Sequence, residues 1–273
     1  MARLREPERG CPWDLQQTPR TIINYSIEEV YELADAIEQQ QTTAVGDELG
    51  DLLFQVVFLA RLGEEAREFD FAAVVQGLCE KLLRRHPHVF PNGDLAATEP
   101  GVDSDTMAAS EVARNWEAIK QAERRAKRQA GLFDDVPLAL PAMLRARKLQ
   151  KRAASIGLDW PDEQGALASL KQELFEFEAE LAEVETTSPA SAGAAKRERL
   201  AEELGDLLFS CVNVARKLEI NPEQALRDAN EKFCRRTTSV ERSLRQAGHL
   251  DDLNPEPVSA EQLDRYWKSA KEQ

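Results

Sequence analysis

The sequence lacks the features that mark most nucleic-acid-binding, secreted and membrane proteins. Its 49 acidic residues outnumber its 35 lysines and arginines, and the resulting net charge of -14 repels DNA and RNA. Four scattered cysteines form no Cys-x-x-Cys pair, so neither a disulfide framework nor a zinc site is expected. No apolar run approaches the roughly 18 residues of a membrane span, and the polar first residues are unlike a signal peptide. We therefore expect a soluble cytoplasmic protein with no membrane or nucleic-acid-polymer partner.

Alternation of apolar and polar residues, the pattern of a half-buried strand, is also missing. Helix formers dominate, and local signals show where helices begin and end. Asn221-Pro222 and a capping box at Ser259 mark two helix starts. The proline after His86 and the glycine at Gly157 mark two helix ends. The sequence predicts an all-α fold.

The chain contains an internal duplication. The heptapeptide Glu-Leu-Gly-Asp-Leu-Leu-Phe occurs at 48–54 and again at 203–209. A basic set recurs at the same offsets and is followed at equal distances by Trp116 and Trp267; its two copies are Lys81, Arg84, Arg85 and Lys232, Arg235, Arg236. We infer two tandem, similar helical-bundle units at 1–130 and 142–273, with a connection at 131–141. The small residues at 186–195 predict a mobile linker in the second unit.

Each unit carries two acidic pairs at the i, i+3 spacing that places both side chains on one helix face. The pairs are Glu29 with Glu32, Glu48 with Asp51, Glu173 with Glu176, and Glu203 with Asp206. Carboxylates that converge from neighbouring helices suit Mg²⁺, for which Mn²⁺ is a substitute, because these ions prefer oxygen ligands. Neither carboxylate helix contains histidine, which argues against a di-iron site. A capping box at Ser26 is an alternative that would engage Glu29.

The basic sets complement the acidic pairs. Lys232, Arg235 and Arg236 share one helix face and could bind phosphate oxygens, with arginine in a bidentate manner. Metal-binding carboxylates and phosphate-binding cations together indicate phosphoryl-transfer hydrolysis. Ion pairs with nearby acids are the alternative for these cations. Trp267 could stack on a base, although a buried core tryptophan is the commoner arrangement.

The double acidic motif resembles that of the all-α NTP pyrophosphohydrolases. Three further segments narrow the resemblance to the tandem-domain MazG family: Gly10-Cys-Pro-Trp-Asp14, Arg84-Arg-His-Pro-His-Val-Phe90 and Asn230-Glu-Lys-Phe233. The resemblance covers nearly the whole chain. It implies Mg²⁺-dependent hydrolysis of NTP or dNTP to the monophosphate and pyrophosphate by attack at the α-phosphate. It also implies a homodimer and a house-cleaning or stress-related role.

On this interpretation the C-terminal acids are both the metal ligands and the catalytic groups. They are Glu173, Glu176, Glu203 and Asp206, and a second metal site would consist of Glu29, Glu32, Glu48 and Asp51. The expected substrate-binding residues are Lys232, Arg235, Arg236, Asn213, Asn230, Trp267 and Lys271. Asn213 and Asn230 stand where the first unit has Phe58 and Cys79. The C-terminal site is therefore the more polar one and is expected to carry most of the activity.

Two other functions remain compatible with these residues. One is a non-catalytic, metal-stabilised scaffold that binds a protein partner, which the complete basic sets argue against. The other is a hydrolase restricted to dUTP or to a modified nucleotide, because metal and phosphate groups do not determine base preference. No Gly-x-x-x-x-Gly-Lys-[Ser/Thr] loop is present, which argues against γ-phosphate cleavage of the P-loop type.

Overall fold

The computed structural model describes residues 1–95, six positions between 112 and 123, and residues 131–186, 193–250 and 258–272. The regular elements in these ranges are α-helices and one 3-10 helix, and none is a strand. The all-α prediction is therefore confirmed. The chain divides into two compact units, Met1–Glu123 and Arg124–Gln273. The boundaries expected from the sequence, with a connection at 131–141, stay a prediction.

Residues 1–95 of the N-terminal unit contain four α-helices and a short 3-10 helix. They are α1 (Pro12–Gln16), α2 (Pro19–Glu38), α3 (Thr42–Ala66), α4 (Phe71–Arg85) and the 3-10 helix Pro91–Gly93. Helices α2 and α3 form the main packed pair, and α4 contacts α3. The six described positions between 112 and 123 are helical. The sequence predicts a helix at about 108–130, and its other residues lie outside the described ranges.

Helix α2 begins before the alternative capping box at Ser26. Thr18 and Thr21 form the capping box instead, each side chain accepting a hydrogen bond from the other residue's backbone N–H. Ser26 lies inside the helix and donates to the carbonyl oxygen of Ile22 at 3.2 Å. Glu29 is therefore not engaged in a helix cap.

The C-terminal unit contains five described helices. They are α5 (Ala142–Ala154), α6 (Glu163–Thr186), α7 (Gly193–Lys217), α8 (Pro222–Gln246) and α9 (Ala260–Lys271). Helices α6 and α7 form its main packed pair, while α9 packs on α8 and α5 packs on α7. The predicted starts at Asn221 and Ser259 and the predicted end near Gly157 are confirmed. The linker predicted at 186–195 falls largely on residues 187–192, which are not described.

The N-terminal core is small and leaves one apolar face of α3 open. Ile22, Phe58 and Leu62 form its buried cluster, and Phe58 is fully buried. The helical spacing of its apolar residues predicts that Leu53 and Val56 of α3 are buried as well, but they are 56% and 38% exposed. That expectation is wrong for a single chain, because α2 covers only part of the apolar surface of α3. None of the described helices is long and apolar enough to cross a membrane.

Candidate metal and phosphate site

Helices α2 and α3 bring carboxylates of the N-terminal unit together. One oxygen from each of Glu29, Glu48 and Asp51 lies within 4.8 Å of the others. Glu32 is outside this group, but it is close enough for its charge to raise the pKa of both Glu29 and Glu48. The two acidic pairs of this unit therefore meet across the α2–α3 contact.

Helices α6 and α7 repeat the arrangement in the C-terminal unit. One oxygen from each of Glu173, Glu176 and Glu203 lies within 4.8 Å of the others. Asp206 is outside this group, and its charge raises the pKa of Glu173 and Glu203. All four acids predicted from the sequence thus belong to one electrostatic cluster.

The carboxylates of each cluster repel one another when no cation is bound. Partial burial is the largest cause that raises the pKa of Glu29, Glu48, Glu173 and Glu203, and repulsion by neighbouring acids raises it further. A divalent cation would offset this repulsion. The donor set consists of carboxylate oxygens without nitrogen or sulfur, which fits a hard cation such as Mg²⁺. Both clusters could therefore hold a metal ion.

Two glutamines that the sequence analysis missed hold acids of these clusters. Gln55 is buried, and its Nε2 donates to Oε1 of Glu29 at 3.5 Å. Gln172 Nε2 donates to Oε1 of Glu176 at 2.7 Å. Spacing could have signalled Gln172, which lies four residues from Glu176 on the same helix face, whereas Gln55 reaches Glu29 across the α2–α3 contact.

In the C-terminal unit, the predicted phosphate-binding residues lie on α8 and α9. Helix α8 carries Asn230, which is exposed, and the basic set Lys232, Arg235 and Arg236. The ring of Trp267 on α9 lies 5.8 Å from the ring of Phe233, and Lys271 Nζ lies 5.9 Å from the Trp267 ring. Within the described ranges, no acid forms an ion pair with any of the three cations of the set.

In the N-terminal unit, Arg84 and Arg85, which correspond to Arg235 and Arg236, form ion pairs with an acid. Glu123 accepts a hydrogen bond from Arg84 Nη2 at 2.7 Å and another from Arg85 Nη2 at 2.5 Å. Arg85 and Arg84 together lower the pKa of Glu123 from 4.5 to about 2. The alternative that these cations form ion pairs is therefore confirmed for Arg84 and Arg85.

Asn213 has different neighbours from the acids. Its Oδ1 accepts hydrogen bonds from Arg216, from Nε at 3.1 Å and from Nη2 at 2.7 Å. It lines a cavity with Gln150 and Phe209, and no acid of the C-terminal cluster lines that cavity.

Comparisons with known proteins agree with this geometry. A family model described as the MazG nucleotide pyrophosphohydrolase domain matches residues 17–90 and 163–240. The nucleoside triphosphate pyrophosphohydrolase of Escherichia coli (strain K12) is 42% identical over 275 residues, which cover 100% of this chain and 95% of that protein. The nucleoside triphosphate pyrophosphohydrolase/pyrophosphatase MazG of Thermotoga maritima is 39% identical over 271 residues, covering 99% and 92%. The Mycolicibacterium smegmatis nucleoside triphosphate pyrophosphohydrolase is 34% identical over 149 residues, covering 54% and 42%.

The two matched segments coincide with the two sites. Residues 17–90 contain the N-terminal acids and basic set, and residues 163–240 contain those of the C-terminal unit. Trp267 and Lys271 lie outside the matched segments. With two copies of the domain and relatives aligned over its full length, this chain is an enzyme of the MazG nucleotide pyrophosphohydrolase family.

Proposed function

We propose that the chain hydrolyses nucleoside triphosphates, ribo- or deoxyribo-, to the monophosphate and pyrophosphate. The observation that carries this proposal is the convergence of Glu173, Glu176 and Glu203 within 4.8 Å. Lys232, Arg235 and Arg236 of α8, a helix that contacts α7, form no ion pair with a described acid and complement the carboxylates. The names of the full-length relatives support the same reaction.

The proposed metal ligands are Glu173, Glu176, Glu203 and Asp206. Mg²⁺ is the proposed ion and Mn²⁺ a substitute, because both accept carboxylate ligands. A bound Mg²⁺ would offset phosphate charge and lower the pKa of water. A carboxylate of the cluster can accept the proton that the attacking water loses. The hydrogen bond from Gln172 restricts the orientation of Glu176 for this purpose.

The proposed phosphate-binding groups are Lys232, Arg235 and Arg236 of α8 and Lys271 of α9. Arg235 and Arg236 can each donate two parallel hydrogen bonds to phosphate oxygens, and Lys232 adds a point charge. Lys271, held near the ring of Trp267, would extend this positive surface. Trp267 and Asn230 are then available to the sugar or the base.

The proposed bond cleavage lies between the α-phosphorus and the oxygen that bridges to the β-phosphate. Water oxygen joins the α-phosphorus, and the bridging oxygen leaves with pyrophosphate. Hydrolysis in ¹⁸O-water should therefore label the nucleoside monophosphate and leave pyrophosphate unlabelled. Label in orthophosphate, with nucleoside diphosphate as the other product, would instead show γ-cleavage and refute the proposal.

The C-terminal site is proposed to carry most of the activity. In the N-terminal unit, Glu123 already binds the guanidinium groups of Arg84 and Arg85 that a triphosphate would need. In the C-terminal unit, no described acid pairs with Arg235 or Arg236. Asn230 in place of Cys79 adds a further polar group to the C-terminal site.

The proposed role is control of the nucleotide pool, as house-cleaning or in a stress response. A panel of the standard NTPs and dNTPs with dUTP tests this role, since broad hydrolysis fits it. Strong preference for dUTP alone would support the narrower hydrolase instead.

The proposed assembly is a homodimer. Leu53 and Phe54 on α3 and Leu208 and Phe209 on α7 are 38–56% exposed in the single chain. Two copies that pack these faces together would remove the apolar surface from water.

A further inference from the structure

Two arginines at the C-terminal end of α4 bind one carboxylate through four hydrogen bonds. Arg84 donates to Glu123 Oε1 from Nε at 2.9 Å and from Nη2 at 2.7 Å. Arg85 donates to the same oxygen from Nε at 3.3 Å, and to Glu123 Oε2 from Nη2 at 2.5 Å. Guanidinium donors of this kind also bind phosphate oxygens in a bidentate manner. The carboxylate therefore takes the donors that a phosphate would need.

A second contact joins the neighbourhood of Glu123 to this end of α4. Trp116 and Glu123 both belong to the helical positions described between 112 and 123. The ring of Trp116 meets the ring of His86 edge-on, with 5.4 Å between the two centroids. His86 directly follows α4, and its Nδ1 donates to the carbonyl oxygen of Leu82 at 2.7 Å. Contacts at Trp116 and at Glu123 therefore both hold these helical positions against the end of α4.

The N-terminal unit retains the other parts of a metal and phosphate site. One oxygen from each of Glu29, Glu48 and Asp51 lies within 4.8 Å of the others. The basic set of α4 has the same residue types at the same spacing as the set of α8. The two sets differ in their ion pairs, because an acid binds the arginines of α4 while no described acid pairs with Arg235 or Arg236. The N-terminal unit thus contains its phosphate-binding groups in an occupied form.

We propose that Glu123 is an autoinhibitory group, which keeps phosphate from the basic set of α4 and so silences the N-terminal copy of the site. This rests on the proposed function, in which the basic sets bind phosphate. The side chains of Glu123 and Arg85 are 17% and 20% exposed, whereas that of Arg84 is 54% exposed. A phosphate can therefore approach from the side of Arg84 and displace the carboxylate. Protonation does not open the contact near neutral pH, because the two arginines hold the pKa of Glu123 far below neutral.

The test is calorimetric titration of the full chain with inorganic pyrophosphate in the presence of Mg²⁺. Glu123→Gln should bind one more pyrophosphate per chain than the wild type, because the guanidinium donors are then free. Affinity at the added site should exceed that of the wild type about tenfold or more, the usual effect of one hydrogen bond to a charged group. Glu68→Gln is the matched control, since it removes the same charge and Glu68 is exposed and forms no ion pair within the described ranges.

Two further variants identify the added site. Arg84→Met with Arg85→Met should remove the added site from Glu123→Gln, because the proposed donors are then lost. Glu123→Asp keeps the charge on a side chain that is shorter by one methylene, and it should give a smaller gain of the same kind. Glu123→Asp also serves as the second variant if urea unfolding shows that Glu123→Gln does not fold.

Three results would overturn the proposal. One is that Glu123→Gln binds no more pyrophosphate than the wild type. Another is that Glu68→Gln gains the same site, which would assign the effect to net charge. The third is that the added site survives the loss of both arginines, which would place it elsewhere.

Turnover separates autoinhibition from the hydrolase proposal. In chains whose C-terminal cluster is neutralised by Glu203→Gln and Asp206→Asn, Glu123→Gln should raise the residual release of pyrophosphate from NTP. An unchanged residual release beside normal wild-type release would refute autoinhibition and leave the hydrolase proposal standing. An added pyrophosphate site with no release from any variant, the wild type included, would refute the hydrolase and leave Glu123 as the group that blocks phosphate.

Discussion

At Glu123, one carboxylate accepts hydrogen bonds from two adjacent guanidinium groups. Arg85 and Arg84 lower its pKa from 4.5 to about 2 in the folded protein. A carboxyl group with a lower pKa in the folded state stabilises the fold when it is ionised. Its contribution is therefore complete above about pH 4.5 and is lost as the pH falls toward about 2.

Glu123→Gln should lower the free energy of unfolding at pH 7 by about 1 kcal/mol, since partly exposed ion pairs contribute modestly. The difference from wild type should shrink between pH 4.5 and pH 2, because the wild-type carboxylate is then protonated. Urea unfolding across this range measures it. Glu8→Gln is the control, because Glu8 is exposed and forms no ion pair within the described ranges. A difference that stays constant with pH would contradict the assignment.

The acids of the two units provide a matched pair of double variants. Glu203→Gln with Asp206→Asn should lower kcat by about 100-fold or more, as expected when groups that hold metal and accept a proton are neutralised. Glu48→Gln with Asp51→Asn should retain much of kcat. Steady-state pyrophosphate release compares them. The reverse pattern would assign the main activity to the N-terminal unit.

Metal removal acts on the same residues. Dialysis against EDTA should abolish turnover, because it removes the cation that would offset phosphate charge and lower the pKa of water. Added Mg²⁺ or Mn²⁺ should restore it, while a zinc-selective site would require nitrogen or sulfur ligands that are absent from the clusters. Full activity after exhaustive chelation would remove the metal from the proposed mechanism.

At the scale of the element, α9 depends on its first turn. Ser259 Oγ accepts from Gln262 N at 3.2 Å, and Gln262 Oε1 accepts from Ser259 N at 3.0 Å. Ser259→Ala should lower the free energy of unfolding by about 1 kcal/mol. It should also raise KM, because α9 carries Trp267 and Lys271. Ser259→Asp, which can still cap the helix, should behave like wild type in urea unfolding and in kinetics. Equal effects of both variants would show that the cap is unimportant.

Helix ends were predictable because their signals are local. The capping box at Ser259, the proline after Asn221 and the left-handed Gly157 act over a few residues, and the structure places helix ends at all three. The i, i+3 acids were found for the same reason. Local spacing alone identified all four members of each acidic cluster.

Contacts between distant residues were not predictable in this way. Glu123 reaches Arg84 from 39 residues away, and the intervening sequence contains no signal that selects it from other acids. Exposure of Leu53 was also mispredicted, because an apolar helix face indicates burial without stating which surface covers it. Asn213 was identified as an unusual position, but the pairing of its neighbour Arg216 with Asp159, 57 residues away, was not.

At the scale of the whole molecule, the exposed apolar faces of α3 and α7 predict a homodimer. Light scattering at micromolar concentration should give about twice the 30.6 kDa of one chain. Leu208→Glu should shift the mass toward that of one chain, because a charge at an apolar interface is costly. Leu138→Glu is the control, since Leu138 is 84% exposed and lies outside these helices. A wild-type mass of 30.6 kDa would reject the dimer.

Glu123 and its two arginines belong to one chain, so the anion at Arg84 and Arg85 cannot be diluted away. A group on the same chain acts at an effective concentration that does not depend on the amount of protein in solution. A triphosphate in solution therefore meets a competitor that is always present at that concentration. It displaces Glu123 only when the ratio of its concentration to its dissociation constant for the two arginines exceeds the same ratio for Glu123. Saturation of the N-terminal arginines thus requires far more nucleotide than their charge alone would indicate.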